Sequence, residues 1–131
     1  MKAIFSLALL LWLPLVSCQQ PQGPASVDAK TFSQKLSNTS DKVILDVRTP
    51  DEYASGYIGD AINIDFYNPA FKEQVAKLDK HKTYFVYCEA GGRSKSAMTI
   101  LKEEGFPNIV ELNGGISEWK ATNLPVTHPG Q

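Results

Sequence analysis

The chain has 131 residues, 43% hydrophobic and 21% charged, enough for one hydrophobic core and too ordinary a balance for a disordered or fibrous protein. Thirteen basic against fourteen acidic side chains leave no positive excess to neutralise a phosphate backbone, which argues against nucleic acid as a partner. Two cysteines and two histidines, at positions 18, 88, 81 and 128, lack the close spacing of metal ligands, so no metal or other cofactor is expected.

The N-terminus reads as an address. Lys2 precedes the apolar run AIFSLALLLWLPLV from Ala3 to Val16, and small Ser17 precedes Cys18, the order of a secretory signal. Interrupted by Pro14, the run is shorter than the ~20 residues of a membrane-spanning helix. Residues 1–17 are therefore expected to be a signal peptide. Leu15-Val16-Ser17-Cys18 resembles the lipobox of bacterial lipoproteins. That resemblance implies cleavage before Cys18, lipid on that cysteine, and a periplasmic domain that meets the membrane only through its anchor; the alternative is an ordinary signal cut nearby. Residues 18–26, rich in Gln and Pro, read as a tether, and 27–131 as the folded domain.

Within that domain Asp28 caps a short helix carrying Phe32 and Leu36. Val43 to Val47 is an apolar run of the kind buried in a parallel sheet, broken only by Asp46. Thr49-Pro50-Asp51-Glu52 has the cap, proline and glutamate of a capping box, and predicts a helix to Gly56. Extended chain is expected over Ile58 to Ile64, then an amphipathic helix through Phe71, Val75 and Leu78, and a second buried strand from Thr83 to Tyr87. A helix from about Ser94 places Ala97, Ile100 and Leu101 on one face and ends at Gly105. A third strand, Ile109 to Leu112, and a short helix carrying Trp119 follow. Strands alternating with helices at this spacing predict an α/β fold: a parallel sheet with helices on both faces.

Cys88 stands at the carboxyl end of the second buried strand, where open parallel sheets bind ligands. It is followed by Glu89, Ala90, Gly91, Gly92, Arg93 and Ser94, together a candidate substrate-binding loop. Two adjacent glycines let backbone N–H groups converge on an anion, and the following helix aims its positive end at the same point. These features favour thiolate over thiol and make Cys88 a candidate nucleophile. Arg93 is expected to grip an oxyanion through paired hydrogen bonds. A cysteine that merely ends a strand needs neither the nest nor the arginine.

Three stretches, in this order, resemble the rhodanese family in its single-domain form: Leu45-Asp46-Val47-Arg48 with Glu52-Tyr53, Gly56-Tyr57-Ile58 and Ala61 to Ile64; Tyr87 to Ser94; and Leu112 to Ile116 with Trp119 and Leu124-Pro125-Val126. The resemblance implies a five-stranded parallel sheet and a sulfurtransferase. Cys88 would take sulfane sulfur from thiosulfate or a persulfide, on a small molecule or a protein, and pass it to a thiophilic acceptor. It also places Asp46 and Arg48 at a possible active-site rim, although a structural role for that pair is equally expected. Tyr57, where the family usually has histidine, reads as structural. Asn123 stands where glycine is common and tolerates left-handed backbone. Glu89, beside the nucleophile, is expected to oppose thiolate formation and repel a dianionic donor.

Two rival functions share some or all of this pattern. Phosphatases and arsenate reductases of the same fold resemble Cys-x5-Arg, whereas four residues separate Cys88 from Arg93; the shorter loop suits a sulfur atom. A non-turnover sulfur carrier or docking module shares the whole pattern and differs only in turnover. His81 and His128 are expected to be exposed.

Overall fold

In the computed structural model, which describes residues 23–130, the second buried run, Thr83–Tyr87, becomes the middle strand of a five-stranded parallel sheet. The elements are β1 (Ala25–Val27), α1 (Ala29–Asn38), β2 (Lys42–Asp46), α2 (Pro50–Ala54), β3 (Ile62–Asn63), α3 (Phe71–Ala76), β4 (Thr83–Tyr87), α4 (Gly92–Glu103), β5 (Ile109–Leu112) and α5 (Gly115–Ala121). The sheet order is β1-β5-β4-β2-β3.

Alternation along β4 sorts the core into two layers. Tyr84 and Val86, with Cys88 beyond them, face a cluster containing Phe71, Val75, Ala97 and Leu101, from α3 and α4. Phe85 and Tyr87 face Phe32, Ile116 and Trp119, from α1 and α5. Phe32 meets Phe85 edge-on at 5.2 Å between ring centroids and Trp119 at 6.1 Å, so the expected helix positions are core positions on both faces of the sheet.

The caps form as the sequence indicates. Asp28 accepts the Thr31 amide at 2.7 Å, and Thr49 and Glu52 complete the capping box with Pro50 in the first turn. Asn123 adopts φ 57°, the left-handed conformation expected of it. Tyr57 is structural, stacked on Tyr53 at 4.4 Å and paired through its backbone with Thr127. His81 and His128 are exposed.

Several boundaries differ. Helix α2 stops at Ala54, because Ser55 caps it and Gly56 turns at φ 137°. Of the expected Ile58–Ile64 extension only Ile62–Asn63 pairs with β2. The segment read as a tether up to residue 26 contains strand β1, so the folded chain begins by Ala25. Three residues carry too little periodicity to declare a strand; β1 is defined by its partner β5, in the register Ala25 to Val110, Ser26 to Glu111 and Val27 to Leu112. The signal and lipidation readings, residues 1–17 and Cys18, lie outside the described residues.

The strand order creates the site. β2 and β4 are neighbours, but the chain leaves β2 toward β3 at one edge and leaves β4 toward β5 on the other side. Loops that diverge from adjacent strands open a crevice at their carboxyl ends, and here those loops are Val47–Thr49 and Cys88–Gly91.

Candidate active site at the strand-end cysteine

Cys88 follows the last residue of β4 and is 1% exposed. Its Sγ accepts the Gly91 amide at 3.1 Å and lies 3.4 Å from the Ser94 hydroxyl, to which the thiol donates. Gly91 makes this return possible, since at φ 106° it is the left-handed N-cap of α4. The helix therefore starts at Gly92, two residues before the expected start, and its first turn sits against the sulfur, where unpaired N–H groups favour negative charge.

The loop is held from behind by α5. The Ile116 and Ser117 amides donate to the Cys88 and Glu89 carbonyls at 2.9 and 3.1 Å. Gly115, at φ 63°, allows this close approach, for a β-carbon there would lie 2.5 Å from the Cys88 carbonyl oxygen. Gly114-Gly115 is thus a tight turn and also the seat of the loop.

Arg93 does not offer a free fork. Its Nη1 and Nη2 donate to Glu52 Oε2 and Oε1, both at 2.8 Å, and its guanidinium lies 5.2 Å from the Tyr67 ring centre. The hydrogen bonds from Arg93 are the main reason the Glu52 carboxyl is lowered to about 2, burial opposing and Thr49 assisting. Arg93 is correspondingly raised, first by its hydrogen bonds to Glu52, with burial opposing. The expected oxyanion grip is corrected accordingly: the fork is spent on Glu52, and Arg93 reaches the site as a nearby positive charge.

Glu89 also differs from expectation. Its Oε2 accepts from Arg48 Nη1 at 3.1 Å and its Oε1 from the Ser117 hydroxyl at 3.2 Å. The carboxylate is tied to a cation instead of standing unpaired beside the sulfur, which weakens the repulsion expected of it.

Asp46 and Arg48 are 0% and 1% exposed, so neither lines an open rim. Arg48 Nε and Nη2 donate to the Asp46 carboxylate at 2.7–3.1 Å, and Nη2 also reaches the Gly56 carbonyl at 2.7 Å. Burial works against the Arg48 charge, but hydrogen bonding and attraction from Asp46, with Glu89 adding, raise its pKa above the ordinary value. The pair ties strand to loops. Arg48 to Glu89 cross-links the two loops of the crevice, and Arg93 to Glu52 cross-links the helices α4 and α2 that follow them.

Of the remaining loop residues, Ala90 and Gly92 are exposed. Ser94 turns inward and donates to Glu111 Oε1 at 2.6 Å, so it is not exposed for substrate contact. Glu111, 0% exposed in β5, also accepts from the Ser26 hydroxyl of β1. Glu111 matches no motif in the sequence. Its signal was an acid inside the apolar run Ile109–Leu112, the same anomaly that marked Asp46.

An open parallel sheet with a cysteine loop at its switch point is the frame of several cysteine-dependent α/β proteins, and residues 28–122 match the Rhodanese-like domain family. The chain belongs to that family. It is 32% identical over 103 residues to a sulfurtransferase of Allochromatium vinosum, covering 79% of this chain and 94% of that protein. It is 37% identical over 87 residues to the thiosulfate sulfurtransferase GlpE of Coxiella burnetii, covering 66% and 79%. The crystal structure of a rhodanese-related protein from Thermoplasma volcanium superposes with a TM-score of 0.68 at 33% identity, covering 78% of this chain and 96% of that one. The protein is thus a single rhodanese-like domain with sulfurtransferase relatives.

Proposed function

We propose that the protein is a sulfurtransferase that carries sulfane sulfur as a persulfide on Cys88. The observation that carries this reading is the position of Sγ, at the end of β4, 3.1 Å from the Gly91 amide at the start of α4, in a chain whose relatives include sulfurtransferases. The Cys88 thiolate attacks the outer sulfur of thiosulfate or of a persulfide donor. A new S–S bond forms, the donor's S–S bond breaks, and sulfite or a thiolate leaves with the bonding pair. A nucleophilic acceptor, cyanide in an assay, then takes the outer sulfur and returns the Cys88 thiolate. The Gly91 N–H and the first turn of α4 face the sulfur that bears charge at each stage.

With Glu89 and Arg93 each in an ion pair, thiosulfate is an acceptable donor alongside neutral or protein-borne persulfides. The apolar N-terminal run and Leu15-Val16-Ser17-Cys18 support export and lipid anchoring at Cys18. The test is intact mass before and after thiosulfate, then cyanide with thiocyanate counted over many turnovers. One added sulfur that cyanide removes repeatedly is expected, and Cys88→Ser abolishes it without unfolding the protein. A Cys88→Ser chain that turns over normally would refute the proposal, and a single sulfur with no turnover would favour the carrier reading. The same mass, on chain recovered from cells, reads the N-terminus: an uncleaved residue 1 or an unmodified Cys18 would refute the anchor.

A further inference from the structure

A line of hydrogen bonds runs from the edge of the sheet to the nucleophile, and its polarity is fixed by counting protons. The Ser94 hydroxyl has one proton and three acceptors in range: Glu111 Oε1 at 2.6 Å, the Gly91 carbonyl at 3.2 Å and Cys88 Sγ at 3.4 Å. The proton goes to Glu111 Oε1, which is nearest. Ser94 then presents a lone pair to the sulfur, and only a protonated thiol can use it. The second Glu111 oxygen is taken by Ser26, so each oxygen of this buried carboxylate already accepts a hydroxyl.

From this polarity we infer that Glu111, acting through Ser94, is a positioning residue that holds Cys88 as the neutral thiol in the resting protein. The inference deepens the sulfurtransferase reading and rests on Cys88 being its nucleophile. For the thiolate to form, the thiol proton leaves to solvent base, and Ser94 must swing its own proton from Oε1 to Sγ. That movement leaves the carboxylate with a donor fewer while charge appears on the sulfur one hydroxyl away, which is opposed because Glu111 itself is fully buried. Other charges near the pair are already engaged: Glu89 with Arg48, and Arg93 with Glu52. From β1 and α4, Glu111 receives hydroxyls only, of Ser26 and Ser94.

Glu111→Gln reverses the line. An amide N–H donates to Ser94 Oγ, the serine proton turns to Sγ, and the chain then suits a thiolate. The test is the rate of Cys88 alkylation by iodoacetamide as a function of pH, on full-length chain carrying Cys18→Ser so that Cys88 is the sole thiol. In that reaction the thiolate forms the C–S bond and iodide leaves with the bonding pair; no sulfur transfer is involved, so failure here and failure of the sulfurtransferase reading are separate results. Glu111→Gln is expected to react about tenfold faster at pH 7, as reversing the hydrogen-bond line and removing a like charge one hydroxyl away implies, with the two rates converging in alkali. In a Ser94→Ala background the acceleration is expected to fall below about threefold. Equal or slower alkylation of Glu111→Gln overturns the inference, and so does an acceleration undiminished in the Ser94→Ala background. Should Glu111→Gln fail to fold, infrared spectra of the chain with Glu111 intact decide. A hydrogen-bonded S–H stretch at neutral pH that moves on Ser94→Ala is expected, and absence of any S–H band overturns the inference.

Discussion

Replacing Arg48 by alanine should destabilise the domain far more than loss of a surface ion pair would. The guanidinium makes three contacts to the Asp46 carboxylate at 2.7–3.1 Å, one to the Gly56 carbonyl and one to Glu89. Without it, Asp46 keeps the residue 48 backbone amide as a donor in a site closed to water, and the Gly56 carbonyl loses its partner. Breaking one side of a buried pair costs about 3–5 kcal/mol, a large share of a stability of about 5–15 kcal/mol, and lowers Tm by about 15–30 °C. The Glu89 arm adds little, since that side chain is 41% exposed. Urea unfolding reads the change as a lower midpoint at unchanged slope. The double variant Asp46→Leu with Arg48→Met, which removes both charges, should recover most of the loss. A loss below about 1 kcal/mol in Arg48→Ala would refute the argument, because it would mean that water reaches Asp46 when the arginine is gone.

Two further outcomes are expected. Glu52 is lowered from 4.5 to about 2 by Arg93 in the folded chain, so the unfolded chain takes up this proton first: the stabilisation is present above pH 4.5 and is lost as pH falls toward 2. It is about 1 kcal/mol for a pair that solvent still partly screens, Glu52 being 32% exposed; acid unfolding of Glu52→Gln should lack that increment, and an unchanged acid limb would count against the pairing. Gly115→Ala should cost more than the ~1–2 kcal/mol of left-handed backbone alone and should displace the Cys88 loop, cutting sulfur transfer. Gly105→Ala, at φ 87° with open space around it, should pay only the backbone term, and equal melting temperatures for the two variants would show that the α5 turn does not seat the loop.

The sheet was legible because its inner strands are written as apolar runs: Thr83–Tyr87 and Ile109–Leu112 have the bounds read from sequence. The capping box at Thr49 and the left-handed Asn123 were legible for the same reason, that each is a local preference stated by few residues. Strand β1 was not, because it is defined by β5. At the site, Cys88 and its glycines are contiguous and could be read together. The partners of the loop's charges are 41 residues away in sequence, Arg48 to Glu89 and Glu52 to Arg93, so no spacing rule reveals that Arg93 is engaged or that Glu89 is paired. Glu111 needed the fold to bring β5 and α4 together; alone it was an odd acid in a strand.

The clamp on the Cys88 loop also sets its gauge. The Cys88 and Glu89 carbonyls are fixed to α5, and Arg93, in the first turn of α4, is fixed to Glu52 on α2 across the crevice. One residue inserted before Arg93 would turn its side chain by about 100° around the helix axis, away from Glu52, and would leave that carboxylate facing the crevice. Widening this loop for a larger tetrahedral anion is therefore not a one-residue change: the acid on the facing helix has to be replaced along with it.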